Sequence, residues 1–153
     1  MSLSELLALE TDDYRQVLLT YGTISCKSNL IQNPMMKDHR LILKHQHSKE
    51  CLDQACTGYH MDEDRRRPLI SNESSTYLNY RSLPCPSFTE NFICFNVDTC
   101  TYSHSQSETY YHPSFYKTSP CQQEQCYFEN KPIFCPFLHP FEPSRVLISA
   151  QYQ

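Results

Sequence analysis

The pair C-x3-H occurs three times in this chain, as CTGYH (Cys56 to His60), CTYSH (Cys100 to His104) and CPFLH (Cys135 to His139). Any fold for these 153 residues must accommodate that repeat. Further donors stand upstream of each pair. The middle unit takes Cys85 and Cys94, giving C-x8-C-x5-C-x3-H, and the last takes Cys121 and Cys126, giving C-x4-C-x8-C-x3-H. The first takes His45 and Cys51, giving H-x5-C-x4-C-x3-H, with His47 as the rival to His45. Eight of the nine cysteines and four of the seven histidines thereby fall into three sets of four, and Cys26 is left upstream of them all.

Four sulfur and nitrogen donors are what a structural Zn2+ site takes up, closed and tetrahedral. Disulfides are the competing use of the cysteines, but an odd number leaves one without a partner. The first sixteen residues, MSLSELLALETDDYRQ, carry Glu5, Glu10, Asp12 and Asp13 and lack the basic segment and apolar run of a secretory signal. No apolar stretch is long enough to span a bilayer. The expectation is an intracellular chain, cytoplasmic or nuclear, with reduced thiols and three zinc ions. Ten prolines against two glycines and only 39% hydrophobic residues describe a loop-rich chain with a thin core, for which metal must substitute. The expected fold class is a small, irregular zinc-stabilised fold of three tandem CCCH-type fingers with little regular secondary structure, preceded by an N-terminal helix.

A second repeat lies in front of the ligands. NYRSLPC leads to Cys85 and FYKTSPC to Cys121, so that Tyr80, Arg81, Ser82 and Pro84 recur as Tyr116, Lys117, Thr118 and Pro120. The first unit has a looser lead-in, RLILKH, from Arg40 to His45. Upstream of all three, Ser2 and Glu5 have capping-box spacing, and Leu3, Leu6, Leu7, Tyr14, Val17 and Leu18 form one helical stripe that Gly22 can end. This predicts a helix over about Leu3 to Tyr21. The expected organisation is a helical segment at 1–22, a linker at 23–35, fingers at 36–61, 80–105 and 106–142, an arginine-containing linker at 62–79 and a tail from 143 that includes a short strand, RVLIS.

These features together resemble the tandem CCCH zinc-finger proteins, in particular the Unkempt-like branch and the plant arginine-rich tandem fingers. The resemblance is carried by CTGYH followed by DRRRP (Asp64 to Pro68), by YRSLPCP opening the middle finger, by YYHPSFYKTSPC leading into the last, and by PFLHPFEPSRVL, over about Arg40 to Leu147. His45 and Cys51 exchange the ligand types of the plant pattern. The resemblance implies an RNA-binding regulator of mRNA stability or translation. It also implies aromatic side chains that stack on bases, at positions matching Phe88, Phe95, Tyr102 and Phe137, with Tyr59 displaced by one. The alternative for each ring is packing around the metal as a miniature core.

Short ligand loops beside aromatic rings suit unstacked bases, so single-stranded RNA is the expected partner. The charge opposes this. The formal net charge is -4, and three Zn2+ on eight thiolates add six positive and eight negative charges, to about −6. Cations are nevertheless concentrated at Arg65, Arg66 and Arg67 and recur at Arg81 and Lys117, which makes them the candidate RNA-binding cations. The competing reading of the arginine run is a solvated linker neutralised by Asp62, Glu63 and Asp64. The helix either covers the fingers or docks an effector of mRNA decay or translation. No enzyme is expected, because closed shells leave no position for a catalytic water. The alternative function is a zinc-stapled protein-interaction module without RNA binding.

Overall fold

The computed structural model describes residues 5, 7–24, 26, 56–59, 64–91 and 93–145. Regular structure is sparse, as the composition requires. Helix α1 spans Asp12–Thr20, α2 Pro86–Asn91 and α3 Gln106–Tyr110, and a 3-10 turn covers Pro132–Phe134. Two isolated bridges pair Pro84 with Ser103 and Pro120 with Leu138.

Helix α1 is shorter than the expected Leu3 to Tyr21, because Thr11 leaves the helical backbone and caps it. The Thr11 hydroxyl accepts the Tyr14 N–H at 3.3 Å, and Asp12 and Asp13 occupy the first turn, where the helix dipole favours acids. Ser2, Leu3 and Leu6 lie outside the described residues. The apolar stripe is otherwise used as anticipated: Tyr14, Val17 and Leu18 are buried with Leu7, Tyr111 and Tyr116 in one cluster. Of the two roles the sequence left to this helix, covering the fingers is the one its buried face performs.

This core is rich in tyrosine, so burying it is useful only if each hydroxyl finds an acceptor. Each does: Tyr14 donates to the Pro143 carbonyl at 2.7 Å, Tyr111 to that of Phe134 at 2.6 Å and Tyr116 to that of Ile133 at 2.5 Å. The acceptors lie in the 3-10 turn and just beyond the last C-x3-H pair, which fastens α1 to the last finger. Arg145 closes the arrangement. Its guanidinium donates to Glu10 Oε1 at 2.8 Å through Nε, and to the carbonyls of Pro113 and Tyr116 at 2.6 and 2.7 Å. The expected strand beyond Arg145 lies outside the described residues.

His112 is buried beneath Tyr80, whose carbonyl oxygen is 3.1 Å from Nε2, while Nδ1 accepts the Ser114 N–H at 3.2 Å. That pairing puts the single ring proton on Nε2. Burial, then the nearby Arg66 and Arg145 charges, push its pKa down from 6.5 to about 4. The unfolded chain therefore takes up this proton first as pH falls. The His112 contribution should be complete above pH 6.5 and lost progressively towards pH 4, amounting to up to about 3 kcal/mol. Denaturant unfolding at several pH values should show a shallower acid slope for His112→Gln than for the native chain, a comparison in which the shared effect of metal release cancels.

Candidate metal centres

The structure gathers Cys85, Cys94, Cys100 and His104 into one cluster and Cys121, Cys126, Cys135 and His139 into another, the ligand atoms of each lying within 4.8 Å of one another. The lead-in chain produces this convergence. Each lead-in runs beside the residues after the third cysteine and exchanges three backbone hydrogen bonds with them. In the middle finger Arg81 N–H donates to Thr101 O at 2.8 Å, Ser103 N–H to Leu83 O at 2.9 Å and Cys85 N–H to Ser103 O at 2.8 Å. In the last finger Lys117, Leu138 and Cys121 donate to Pro136, Ser119 and Leu138 at 2.7, 2.8 and 2.8 Å. The ladder brings the first cysteine level with the histidine. Pro86 at the first helical position then starts α2 and turns the chain away from Cys85.

Both clusters fit zinc. A tetrahedron with Zn–S bonds of about 2.3 Å has S···S edges of about 3.8 Å. The observed separations are 3.8 Å for Cys100 and Cys85 and 3.7 Å for Cys126 and Cys135, whereas a disulfide needs about 2.0 Å. The imidazoles supply a second test. Nε2 of His104 and Nε2 of His139 are buried with no hydrogen-bond partner, a costly arrangement that a metal ion at the cluster satisfies.

The thiols behave as crowded donors awaiting a cation. Burial, and then Cys126, pushes the Cys135 thiol up to about 12, against the N–H that Phe137 directs at it. Burial likewise raises Cys100, helped by Cys85 and Cys94 and opposed by the Tyr102 N–H. Burial also works against ionisation of Cys85, but the backbone N–H groups of Phe88 and Ser87 and the neighbouring thiols outweigh it and lower its pKa. Zn2+ would stabilise every thiolate at once. His104 is kept neutral, as a ligand must be, by burial and then by Arg67.

A carboxylate steadies each histidine from behind. The backbone N–H of His104 donates to Glu108 Oε2 at 2.7 Å, and that of His139 to Glu142 Oε2 at 2.8 Å. Both acids are themselves neutralised by a buried cation. Arg67 grips Glu108 with Nε at 2.7 Å and Nη2 at 2.9 Å, and Lys117 Nζ meets Glu142 at 2.7 Å. Arg67 also donates to the carbonyls of Val97, Cys100 and Tyr102, and Lys117 to those of Pro132 and Phe137, so each cation braces a ligand loop from within. Lys117 pays for this position with a φ of 59°, in the left-handed region that favours glycine.

These contacts divide the cations that the sequence offered to RNA. Arg66, at 0% exposure, hydrogen-bonds to carbonyls of Val17, Leu18 and Tyr21 at the end of α1, to that of Tyr111, and to the Tyr80 hydroxyl. Arg66, Arg67 and Lys117 are thus interior struts whose hydrogen-bonding capacity is spent inside the fold, while Arg65 and Arg81 remain exposed. The rings differ in what they touch. Phe88 stacks on His104 with centroids 5.4 Å apart, and Phe137 meets Tyr110 and Phe115 edge-on at 5.8 and 5.9 Å. Phe95 is 97% exposed, and Tyr102 is half-buried with the Arg81 guanidinium 5.6 Å above its ring. Tyr59 is half-buried.

Of the first ligand set, Cys56 is described, and His45, Cys51 and His60, with the rival His47, lie outside the described residues. Cys26, which the spacing left over, is buried with its sulfur 3.5 Å from that of Cys56.

No protein-family model matches the chain. It is similar to the RING finger protein unkempt of Drosophila melanogaster, 34% identical over 92 residues that make up 56% of this chain and 14% of the relative. It is similar to the human RING finger protein unkempt homolog, 34% identical over 96 residues, 58% of this chain and 11% of the relative. It is also similar to zinc finger CCCH domain-containing protein 49 of Arabidopsis thaliana, 32% identical over 97 residues, 60% of this chain and 26% of the relative. The chain thus spans about a quarter or less of the length of these relatives. Two complete Cys3His clusters built on one repeated ladder, together with this similarity to animal and plant proteins alike, are consistent with an Unkempt-like tandem CCCH zinc-finger family.

Proposed function

We propose that this zinc-finger protein carries three zinc ions, binds single-stranded RNA and acts as a non-enzymatic post-transcriptional regulator of mRNA stability or translation. The observation that carries the RNA reading is the surface of the middle finger. There Phe95 presents its ring almost wholly to solvent, and Arg81 lies over Tyr102 as a ready-made cation and aromatic pair. A cleft of about 360 Å³ on the same finger is lined by Arg65, Phe88, Val97 and His104. Such surfaces suit splayed bases, which stack on rings and guanidinium planes without needing a strongly basic body. The two complete ligand sets support the non-enzymatic reading, since four protein donors leave no open coordination position.

With Arg66, Arg67 and Lys117 engaged inside, Arg65 and Arg81 are the two of the five candidate cations left to neutralise phosphates, so the salt dependence they give to binding should be shallow. Anisotropy titrations with short oligonucleotides should show preference for single strands over duplex. Phe95→Ala should weaken binding by about 1–3 kcal/mol at unchanged zinc content. Equal affinity for duplex and single strand, or no binding at all, would favour the protein-interaction module instead.

A further inference from the structure

We infer that Cys26 is the first ligand of the third zinc centre, in the place that spacing alone gave to His45. The assignment rests on the three-zinc reading above and is independent of RNA binding.

The first observation is the backbone around Cys26. Gly22 N–H donates to Thr57 O at 2.8 Å, Tyr59 N–H to Ile24 O at 2.9 Å and Cys26 N–H to Tyr59 O at 2.8 Å. Register identifies these bonds. In the middle and last fingers the donors and acceptors stand four and two residues before the first ligand cysteine, at that cysteine, and one and three residues after the third cysteine. Gly22, Ile24 and Cys26 hold the former places, and Thr57 and Tyr59 hold the latter relative to Cys56. Cys26 therefore stands where Cys85 and Cys121 stand in the two complete clusters.

The backbone angles agree. Gly22 has a φ of 73° and Lys117, its counterpart in the last finger, a φ of 59°, so the same left-handed turn enters both ladders. Glycine takes this turn without strain, whereas Lys117 needs its buried contacts to hold it. The side chains converge as well. Cys26 is 4% exposed, and its sulfur is 3.5 Å from that of Cys56, close to the edge of a zinc tetrahedron and far outside disulfide bonding distance.

The sequence completes the set. Cys51, Cys56 and His60 keep the x4 and x3 intervals, so the third centre becomes Cys26, Cys51, Cys56 and His60, a Cys3His set like the other two. All nine cysteines are then ligands, and no odd thiol remains. In sequence, 24 residues separate Cys26 from Cys51, His45 and His47 among them. Closing a long loop costs little more than closing a short one, since the entropy rises only with the logarithm of length.

The test is native mass spectrometry on the full chain, with cobalt substitution to report the number of thiolates bound. The native chain should carry three zinc ions. Cys26→Ser should carry two, Cys26→His should regain three because imidazole is an equivalent donor, and His45→Ala should keep three with an unchanged cobalt spectrum. A Cys26→Ser protein that retains three ions, a His45→Ala protein that loses one, or a mass that reveals a Cys26–Cys56 disulfide would overturn the assignment. A native chain with only two ions would instead remove the three-zinc reading beneath it.

Discussion

Chelation of zinc from the full chain is expected to unfold it, with loss of dispersed amide signals and of near-ultraviolet circular dichroism. Among the described residues the buried apolar cluster contains only Leu7, Tyr14, Val17, Leu18, Tyr111 and Tyr116, and two of its flanking contacts, Ile133 and Phe134, come from the ligand loop of the last finger. Structural zinc in small fingers has an apparent binding free energy of about 10–16 kcal/mol, comparable to or larger than the ~5–15 kcal/mol net stability of ordinary domains. Without the ion, each cluster would leave crowded thiols and an orphaned buried imidazole nitrogen. Cys100→Ser should by the same reasoning remove the middle ion and the order of its finger. A chelated chain that kept its dispersed spectrum would show that side-chain packing alone holds the fold.

The largest expected effect away from the metal belongs to Arg66. Arg66→Met should destabilise the zinc-saturated protein by on the order of 3–5 kcal/mol, because it removes the donor to four carbonyls and leaves those of Leu18, Tyr21 and Tyr111 unsatisfied, while Val17 O keeps the Tyr21 N–H and the Tyr80 hydroxyl keeps Arg67 O. Three of the four carbonyls belong to the last residues of α1 and its C-cap, where the helix dipole also favours a cation. Arg66→Lys should recover little, since one ammonium cannot reach acceptors spread over a planar guanidinium. Arg65→Ala, next to it but exposed, should stay within about 0.5 kcal/mol of the native chain. Urea midpoints at saturating zinc measure all three, and equal midpoints for Arg65→Ala and Arg66→Met would contradict the strut.

The ligand spacings made two of the metal centres legible in the sequence, because a donor's identity and its interval survive any detail of packing. The arginine run was legible only as charge. Nothing in DRRRP says that consecutive side chains leave on different sides of the chain, Arg65 to solvent, Arg66 to the end of α1 and Arg67 to Glu108. Lys117 misled for the same reason: a lysine after a tyrosine in a lead-in reads as surface until its carbonyl partners are known. Cys26 carried a signal that a longer interval concealed. Tyr21, Gly22 and Thr23 precede it as Tyr80, Arg81 and Ser82 precede Cys85, and as Tyr116, Lys117 and Thr118 precede Cys121. A search confined to short intervals finds RLILKH instead. The helix boundary shifted because Thr11, Asp12 and Asp13 form a second start signal inside the apolar stripe.

Arg67 leaves the linker and closes on carbonyls of the middle finger's ligand loop, while Arg66 beside it closes on the carbonyl end of α1. One peptide unit thus fixes the orientation of the middle finger against the helix that the last finger packs upon. Fingers on flexible tethers explore many relative poses, and a nucleic-acid strand must select one, losing affinity in proportion to the rarity of that pose. Here the selection is made when the chain folds. The distance between successive base-sized surfaces is therefore set before any ligand arrives, and under the proposed RNA reading the protein would measure a strand with a rigid ruler rather than adapt to it.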